Sequence, residues 1–275
     1  MGITAKTKIK SKANALQLKK SVVVLSSMVK RNIKNQYRRS VLGILWTVLN
    51  PLLNMLVMWF VFDKIFGRTS TGLFYPVYIL SGTITFGFVR TASTMSLPCM
   101  VNNYDLLTKT RVPYLVFPLS LNVSALVNLG FSVIALIILM LACIPQGVEF
   151  HWTMLMMAVP WLPALFLFAL GMSLILCSIY VRFRDIKHLY EVFCTLWMYA
   201  TPVFYTLESL QLGSKMGLVM KLNPMYYYIT YLRELLMGIV PSWQTHLICY
   251  GVGILFFTIG IIVFRMSKKK FILYI

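Results

Sequence analysis

Residues 35–58 read NQYRRSVLGILWTVLNPLLNMLVM and change within a few positions from a basic, polar segment to an apolar one. Arg38 and Arg39 are the last charged residues before a charge-free window that runs from Ser40 to Phe62. A helix rises about 1.5 Å per residue, so about 20 apolar residues cross a hydrocarbon core of about 30 Å. This stretch predicts a membrane-spanning helix that is entered directly from a basic segment.

The composition of the whole chain is that of a membrane protein. Hydrophobic residues make up 59% of the 275 residues, charged residues 12%, and the mean hydropathy is +0.78. A soluble globular domain has about 45–50% apolar and about 25% charged residues. The net charge of +19 is not carried on a polar domain, as it would be in a nucleic-acid-binding protein, so we expect no nucleic acid partner.

Charge-free windows divide the chain into a cytoplasmic N-terminal segment, residues 1–40, and one transmembrane domain, residues 41–275. We predict an all-α integral membrane protein with six spanning helices. The fifth predicted span contains Pro202, and it either starts earlier, with Glu191 inside the bundle, or stops short of the far leaflet. The predicted spans are residues 41–62, 73–89, 119–144, 161–181, 192–207 and 246–264.

The distribution of basic residues predicts that both termini are cytoplasmic. Of the 26 lysines and arginines, eleven precede the first span, three lie in each of the second and fourth connecting loops, and four lie in the C-terminal tail. Basic residues that flank spans stay in the cytoplasm, so 21 of 26 on one face fix the orientation. Within the N-terminal segment, Leu18, Val22, Leu25, Val29, Ile33 and Tyr37 form an apolar stripe with basic flanks. This stripe predicts an amphipathic helix on the cytoplasmic leaflet, in contact with membrane lipids, or a generic orientation signal.

The motifs of several enzyme classes are missing from the sequence. There is no phosphate-binding G-x-x-x-x-G-K-[ST] motif, so we expect no nucleotide hydrolysis by this chain. The three histidines have no second ligand at zinc-binding spacing, so we expect no metal site. Only seven acidic residues are present, which makes the paired carboxylates of a hydrolase difficult to assemble.

Polar residues recur every four positions inside two of the predicted spans. Trp46, Asn50 and Asn54 follow this spacing in the first span, and Ser120, Ser124, Asn128 and Ser132 follow it in the third. Amides in hydrocarbon need hydrogen-bonding partners. Such rows either join neighbouring helices or line an aqueous passage.

Four stretches of the chain resemble, in order and spacing, the type-2 ABC transporter permeases that export O-antigens, capsules and teichoic acids. They are residues 35–58, 75–110, 180–205 (YVRFRDIKHLYEVFCTLWMYATPVFY) and 222–238 (LNPMYYYITYLRELLMG). The resemblance implies the permease subunit of an exporter of lipid-linked polysaccharide in the bacterial cytoplasmic membrane. It also implies a homodimer with two copies of a separate ATPase, which binds ATP and Mg²⁺, so that this chain has no cofactor of its own. The alternatives are a type-2 ABC permease for a drug or lipid and, from another class, a membrane-embedded glycosyl or acyl transferase.

The resemblance and the residue patterns together assign roles to particular side chains. The loop PCMVNNYDLLTKTR, residues 98–111, matches the coupling element of the family. We expect the apolar Val101, Tyr104 and Leu107 to insert into an ATPase groove, with Asp105, Lys109 and Arg111 setting the register. Arg182, Arg184 and Asp185 are predicted to form a local ion pair, and so are Arg233 and Glu234. The candidates for a glycan path, chosen because sugars lie against aromatic rings and bind amides and phenols, are Trp46, Asn50, Asn54, Tyr199 and Tyr205.

The external segment before the last span carries its own helix signal. Asn223 precedes Pro224, a pattern typical of a helix N-cap followed by proline at the first helical position, and Gly238 is a suitable stop. We predict a helix of about four turns that dips into the outer leaflet and returns, as part of a short re-entrant structure. A surface loop whose tyrosines rest on headgroups is the alternative.

Overall fold

The computed structural model describes residues 20–36, 38, 42–43, 45–65, 73–109, 112–146, 149, 151, 153–205, 220–268 and 271. Across these residues the regular elements are helices, with no strand. The first helix, α1, covers residues 20–36. The others are α2 (Leu45–Trp59, continued by a π-helical turn Phe60–Ile65), α3 (Tyr75–Ser96), α4 (Cys99–Asn102), α5 (Tyr104–Lys109), α6 (Val116–Cys143), α7 (Thr153–Tyr180), α8 (Ile186–Ala200), α9 (Pro224–Leu236) and α10 (Trp243–Ser267).

Four helical stretches in the described part of the chain are long and apolar enough to cross a membrane. They are Leu45–Phe62, Val116–Cys143, Ala158–Tyr180 and Trp243–Ser267, which correspond to the predicted first, third, fourth and sixth spans. The predicted second and fifth spans form α3, of 22 residues, and α8, of 15 residues. The protein is therefore a helical membrane protein, and the count of six spans stays a prediction.

Two of the predicted spans have different ends in the structure. Helix α3 continues to Ser96, past the predicted end at residue 89, because Arg90, which ended the charge-free window, is exposed and does not interrupt the helix. Helix α8 begins at Ile186, before the predicted residue 192, and includes Glu191, as in the alternative in which this span starts earlier. It ends at Ala200 because Thr201 is extended, with ψ of 137°, and a proline follows. The predicted end of this span, residue 207, lies outside the described residues.

Helix α3 lies at the centre of the bundle and contacts α2, α6, α7, α8 and α9. Most of its residues are buried, and several of its hydroxyl groups bond to the backbone of the same helix. Thr85, Ser93 and Ser96 each donate to the carbonyl oxygen four residues earlier, at 2.5–2.8 Å. Buried hydroxyls that bond to their own backbone lower the hydropathy of a helix without a large energetic cost, so α3 is an interior helix of modest hydropathy.

Helices α7 and α10 form the most extensive helix pair and approach each other at glycines. A Cβ atom added at Gly260 would lie 2.6 Å from the carbonyl oxygen of Gly171, and one added at Gly253 would lie 2.8 Å from the carbonyl oxygen of Ala164. Small residues at such positions let helix backbones pack closely in a membrane, where dispersion contacts replace the hydrophobic effect.

Helix α1 packs against the protein along one side. Met28 is buried, and Val24 and Leu25 contact the same apolar cluster, which includes Leu107 and Phe117. Of the predicted stripe, Leu25, Val29 and Ile33 are partly buried, whereas Val22 is 59% exposed. The buried side of α1 therefore overlaps the stripe without coinciding with it, because it is the side that faces the residues of α5 and α6. Leu18 and Tyr37 lie outside the described residues.

Candidate functional site

The predicted polar rows of the first and third spans converge on one cavity. Helices α1, α2, α3 and α6 surround a volume of about 310 Å³, which is at the lower end of the range for small-molecule sites. Its polar lining consists of amide, hydroxyl and indole groups. The polar or aromatic residues among the described lining are Gln36, Trp46, Thr47, Asn50, Asn54, Thr83, Phe88, Thr91, Asn128 and Ser132.

Helix α2 supplies the predicted residues of this cavity because a four-residue spacing keeps side chains on one broad face. Trp46, Asn50 and Asn54 all line it, and the three are exposed rather than packed. The helix has only one fully buried residue, Met55. Its polar side is therefore open to the cavity, which is the arrangement expected of a helix that lines a passage.

The row on α6 divides into two halves with different roles. Ser120 and Ser124 are buried and donate to backbone oxygens of their own helix at 2.8 Å, so they belong to the packed interior. Asn128 and Ser132 instead line the cavity. The four-residue spacing predicts a single row, and only the structure separates the residues that pack in the interior from those that line the cavity.

Hydrogen bonds fix several of the cavity amides. The Asn128 side chain donates to the side-chain oxygen of Gln36 at 3.2 Å, which connects α6 with the end of α1. The Asn54 side chain donates to the Asn50 carbonyl oxygen at 2.9 Å. The described lining has donors and acceptors but no charged side chain, so it is suited to a neutral, hydroxyl-rich ligand.

The other two predicted path residues lie elsewhere. Tyr199 is 55% exposed near the end of α8, and its ring packs against Phe204 with centroids 6.2 Å apart. The Tyr205 hydroxyl donates to the Tyr199 carbonyl oxygen at 2.7 Å. Both therefore belong to an aromatic group at the end of α8, and neither lines the cavity.

The loop predicted to couple to an ATPase forms the short helices α4 and α5. Tyr104 is 40% exposed and Val101 is partly buried, so both reach the surface. Leu107, in contrast, is only 6% exposed and packs into the cluster with Met28. Its predicted insertion into a partner groove is wrong in this structure, because Leu107 anchors α5 to α1. The side chain of the neighbouring Leu106 is 36% exposed, so this apolar residue of α5 reaches the surface.

The charged residues of α5 bind each other. The Lys109 ammonium group lies 3.3 Å from the Asp105 carboxylate, one helical turn away, and both side chains are mostly exposed. Such a pair contributes little to stability at a surface, and both groups remain accessible to a partner. Arg111 lies outside the described residues. The Arg31 side chain donates to the Asn103 side chain at 2.8 Å, which adds a polar contact between α1 and this loop.

A second, apolar cavity lies between α1 and α5. Its volume is about 280 Å³, and its described lining is Val23, Val24, Ser27, Met28, Arg31, Leu106, Val112 and Phe117. It adjoins the exposed side of α5, so an apolar side chain of a bound partner could enter it. No sequence pattern indicates this cavity, since its walls come from three separate segments.

The predicted ion pairs are not formed. Arg182, Arg184 and Asp185 are exposed in the turn between α7 and α8, and no salt bridge joins them in the described part of the chain. The guanidinium carbon of Arg182 instead lies 5.7 Å from the centre of the Phe183 ring. Arg233 donates to backbone carbonyl oxygens and not to Glu234, because on a helix adjacent side chains point in different directions.

The cysteines and acidic residues form no reactive centre in the described residues. The five cysteines are all buried thiols. Burial raises the pKa of the Cys99 thiol well above its ordinary value, and the adjacent Cys177 raises it further. No group of three or more His, Cys, Asp or Glu side chains that could hold a metal ion occurs within this part of the chain.

Comparisons with known proteins match most of the chain. Residues 23–237 match the family model described as "ABC-2 type transporter". The chain is 35% identical to the O-antigen export system permease protein RfbA of Myxococcus xanthus over 75% of its length and 77% of that protein. It is 26% identical to a protein of the same name from Klebsiella pneumoniae, covering 96% and 98% of the two chains. The polysialic acid transport protein KpsM of Escherichia coli is 23% identical over 78% of this chain and 81% of its own.

Proposed function

Because the chain belongs to the ABC-2 type transporter family, we propose that it is the permease subunit of an ATP-driven exporter that moves lipid-linked cell-envelope polysaccharide across the cytoplasmic membrane. The names of its relatives supply the class of cargo, O-antigen or capsule. The observation in the chain itself that supports this proposal is the cavity of about 310 Å³ lined by amides, hydroxyls and an indole. Sugar hydroxyls are donors and acceptors that such groups bind, and the Trp46 ring offers an apolar face for the sugar ring.

We assign Trp46, Asn50 and Asn54, together with Asn128 and Ser132, to contact with the glycan. Asn50 and Asn54 are exposed on a helix long and apolar enough to cross a membrane, and the donation from Asn54 to the Asn50 carbonyl oxygen leaves the other polar groups of both amides to find partners. A passing glycan, water or a second copy of the permease would supply these partners. Tyr199 and Tyr205 are proposed to contact the glycan separately, at the end of α8.

The energy source is proposed to be a separate ATPase, two copies of which bind a permease homodimer. The contact surface on this chain is the exposed side of α5, with Tyr104, Leu106, Asp105 and Lys109, and it includes Val101. ATP and Mg²⁺ are proposed to bind the partner. Helix α1 shares an apolar cluster with α5 and is bonded to Asn103 just before it, so a push on α5 would be passed to α1 and, through the Asn128–Gln36 hydrogen bond, to the wall of the cavity.

Both termini are proposed to be cytoplasmic, on the basis of the basic residues. The contacts of α1 with α5 support this orientation, because the N-terminal segment and the loop between α3 and α6 then lie on one side. The re-entrant form of the external segment is likewise proposed, with α9 as the helix that enters the outer leaflet.

Cavity variants test the proposal in cells that depend on this permease and its ATPase. Asn50→Leu and Asn128→Leu keep the side-chain size but remove the amides, so surface glycan should fall while ATPase assembly is retained. Ser120→Ala is the matched control, since Ser120 lies on α6 away from the cavity. If a strain that lacks the permease still displays a normal amount of surface glycan, the proposed polysaccharide cargo is wrong. If that strain has instead lost efflux of a drug or a lipid, the result favours a permease for drugs or lipids. Normal export by both leucine variants would refute the role of the cavity.

A further inference from the structure

The five residues that follow α8 leave their carbonyl groups outside any helix. Residues 201–205 form turns and bends after the helix ends at Ala200. Val203 and Phe204 are buried, so water cannot satisfy this backbone. Within a membrane protein, irregular backbone is tolerated only where other protein groups provide its hydrogen bonds. The donors to these carbonyls therefore identify what holds the segment in place.

Side chains from α3 and α9 donate to four consecutive carbonyl oxygens. Arg233 donates to Pro202 at 2.8 Å and to Val203 at 3.0 Å. The hydroxyl of Tyr75 donates to Phe204 at 2.8 Å, and that of Tyr78 donates to Tyr205 at 2.8 Å. The segment is thus fixed on both sides, by α3 through its tyrosines and by α9 through its arginine.

Arg233 is a buried cation without a carboxylate partner in the described residues. Its side chain is 6% exposed, and its guanidinium carbon lies 3.4 Å from the centre of the Tyr78 ring. A third donor contact reaches the carbonyl oxygen of Tyr78 at 3.2 Å. The planar guanidinium group of arginine can donate to several acceptors at once and stack on an aromatic ring, which the ammonium group of lysine cannot do. The charge is therefore used to hold backbone dipoles from two elements at once.

A second set of hydrogen bonds joins residues 201–205 and the end of α8 to the start of α9. The Asn223 side chain donates to the Thr201 hydroxyl at 2.7 Å and accepts from the Trp197 indole at 2.9 Å. Residues 201–205 and α9 are consequently joined at two points, one at each end of the helix. We call residues 75–78, 201–205 and 223–233 the outer clasp.

We propose that Arg233 is a positioning residue for export, which makes α3, the end of α8 and α9 move as one unit. The proposal rests on the transport function above. Because Tyr199 and Tyr205 sit at this end of α8, the clasp sets the position of the aromatic groups that we assign to the glycan. When α3 moves, the end of α8 and α9 move with it, and the connection does not flex at Pro202.

The test uses the full permease–ATPase complex in lipid nanodiscs, with spin labels at Leu196 on α8 and Leu222 before α9, which are 65% and 77% exposed. Arg233→Lys should broaden the distribution of label distances and lower glycan exported per ATP about fivefold or more, with little change in ATP hydrolysis. Gly82→Ala perturbs the clasp without removing a donor, because its Cβ would lie 2.9 Å from Arg233 Nη2. It should also broaden the label distances and lower the glycan exported per ATP, and it serves as the test variant if Arg233→Lys does not fold.

Gly251→Ala is the control, since nothing lies within 4 Å of a Cβ added there. Unchanged label distances and coupling in both clasp variants would overturn the proposal. It would also be overturned if stability, ATP hydrolysis and export fell together while the label distances stayed sharp, because the role would then be structural only. Failure of the wild-type complex to export glycan would refute the proposed function instead, and the label distances would still test the clasp.

Discussion

Replacing Leu107 with alanine is expected to release α5 from the body of the protein, whereas the same change at Leu106 is not. Leu107 is 6% exposed and packs with Met28, while Leu106 is 36% exposed. Truncating a buried leucine costs about 2–5 kcal/mol. The lower half of this range applies, because α5 is a short helix of six residues that can shift to fill part of the space left by the truncation. A loss of about 2–3 kcal/mol shifts the docking equilibrium of α5 by about 30- to 140-fold, at 1.4 kcal/mol per tenfold.

Hydrogen exchange in the peptide covering residues 99–109 measures this equilibrium directly, because exchange there reports local opening. Leu107→Ala should speed exchange by roughly that factor, while Leu106→Ala should change it by less than about threefold, the effect of a typical surface substitution. Leu106→Ala should instead weaken binding of the ATPase. The packing argument is refuted if Leu107→Ala leaves exchange unchanged and abolishes ATPase binding, since Leu107 would then face the partner as the sequence first indicated.

Two further predictions concern single side chains. Iodoacetamide should leave Cys99 of the folded protein unmodified at about pH 8.5, where an ordinary thiol is half ionised, and modify it after unfolding in detergent, because burial raises the pKa of this thiol. Because the pKa of this thiol is higher in the folded than in the unfolded protein, the free energy of unfolding falls as the pH rises above the ordinary thiol pKa. Rapid labelling of the folded protein would contradict both statements. Asn223→Ala should destabilise the protein by about 1–3 kcal/mol in thermal unfolding, since it removes the N-cap of α9 and orphans the Trp197 indole. Asn223→Asp keeps the oxygen that accepts from the Met225 amide and the Trp197 indole and loses only the donation to the Thr201 hydroxyl, so it should lose less, and equal losses would contradict the capping role.

Several elements could be predicted because their signals are local. Helix α9 begins at Pro224 after an Asn223 cap whose side chain accepts from the Met225 amide at 3.1 Å. Its stop at Gly238 has φ of +72°, which favours glycine. The cavity residues of α2 were likewise predictable, because polar side chains four residues apart in an apolar helix remain on one face whatever the helix packs against.

Other features depend on information that a sequence pattern does not contain. Helix α5 has six residues, too few for a periodic stripe to tell the buried Leu107 from the exposed Leu106. The partners of Arg233 are backbone carbonyls, which every residue has, so no acidic side chain could reveal them. The nearest acid in sequence, Glu234, was the wrong partner for this reason.

The glycines between α7 and α10 allow one substitution to be compared at two positions. Gly171→Ala places a Cβ against the backbone of Phe256 and Phe257, at 2.5 Å from the Phe257 nitrogen, so the two helices must separate. Gly251→Ala on α10 meets nothing within 4 Å. Overpacking costs about 1–3 kcal/mol, whereas glycine to alanine in an unhindered helix gains about 0.5–1 kcal/mol.

The same chemical change should therefore act with opposite signs, lowering the unfolding temperature at Gly171 and slightly raising it at Gly251. Thermal unfolding of both variants in one detergent measures the difference, and the shared substitution cancels the effect of intrinsic helix propensity. Because lipid tails are as apolar as the side chains between these helices, close backbone contact is the main source of their association, and its loss has no hydrophobic compensation. If Gly171→Ala proved as stable as Gly251→Ala, the helices could not be in backbone contact at Gly171, and the packing of α7 on α10 would have to differ from that described.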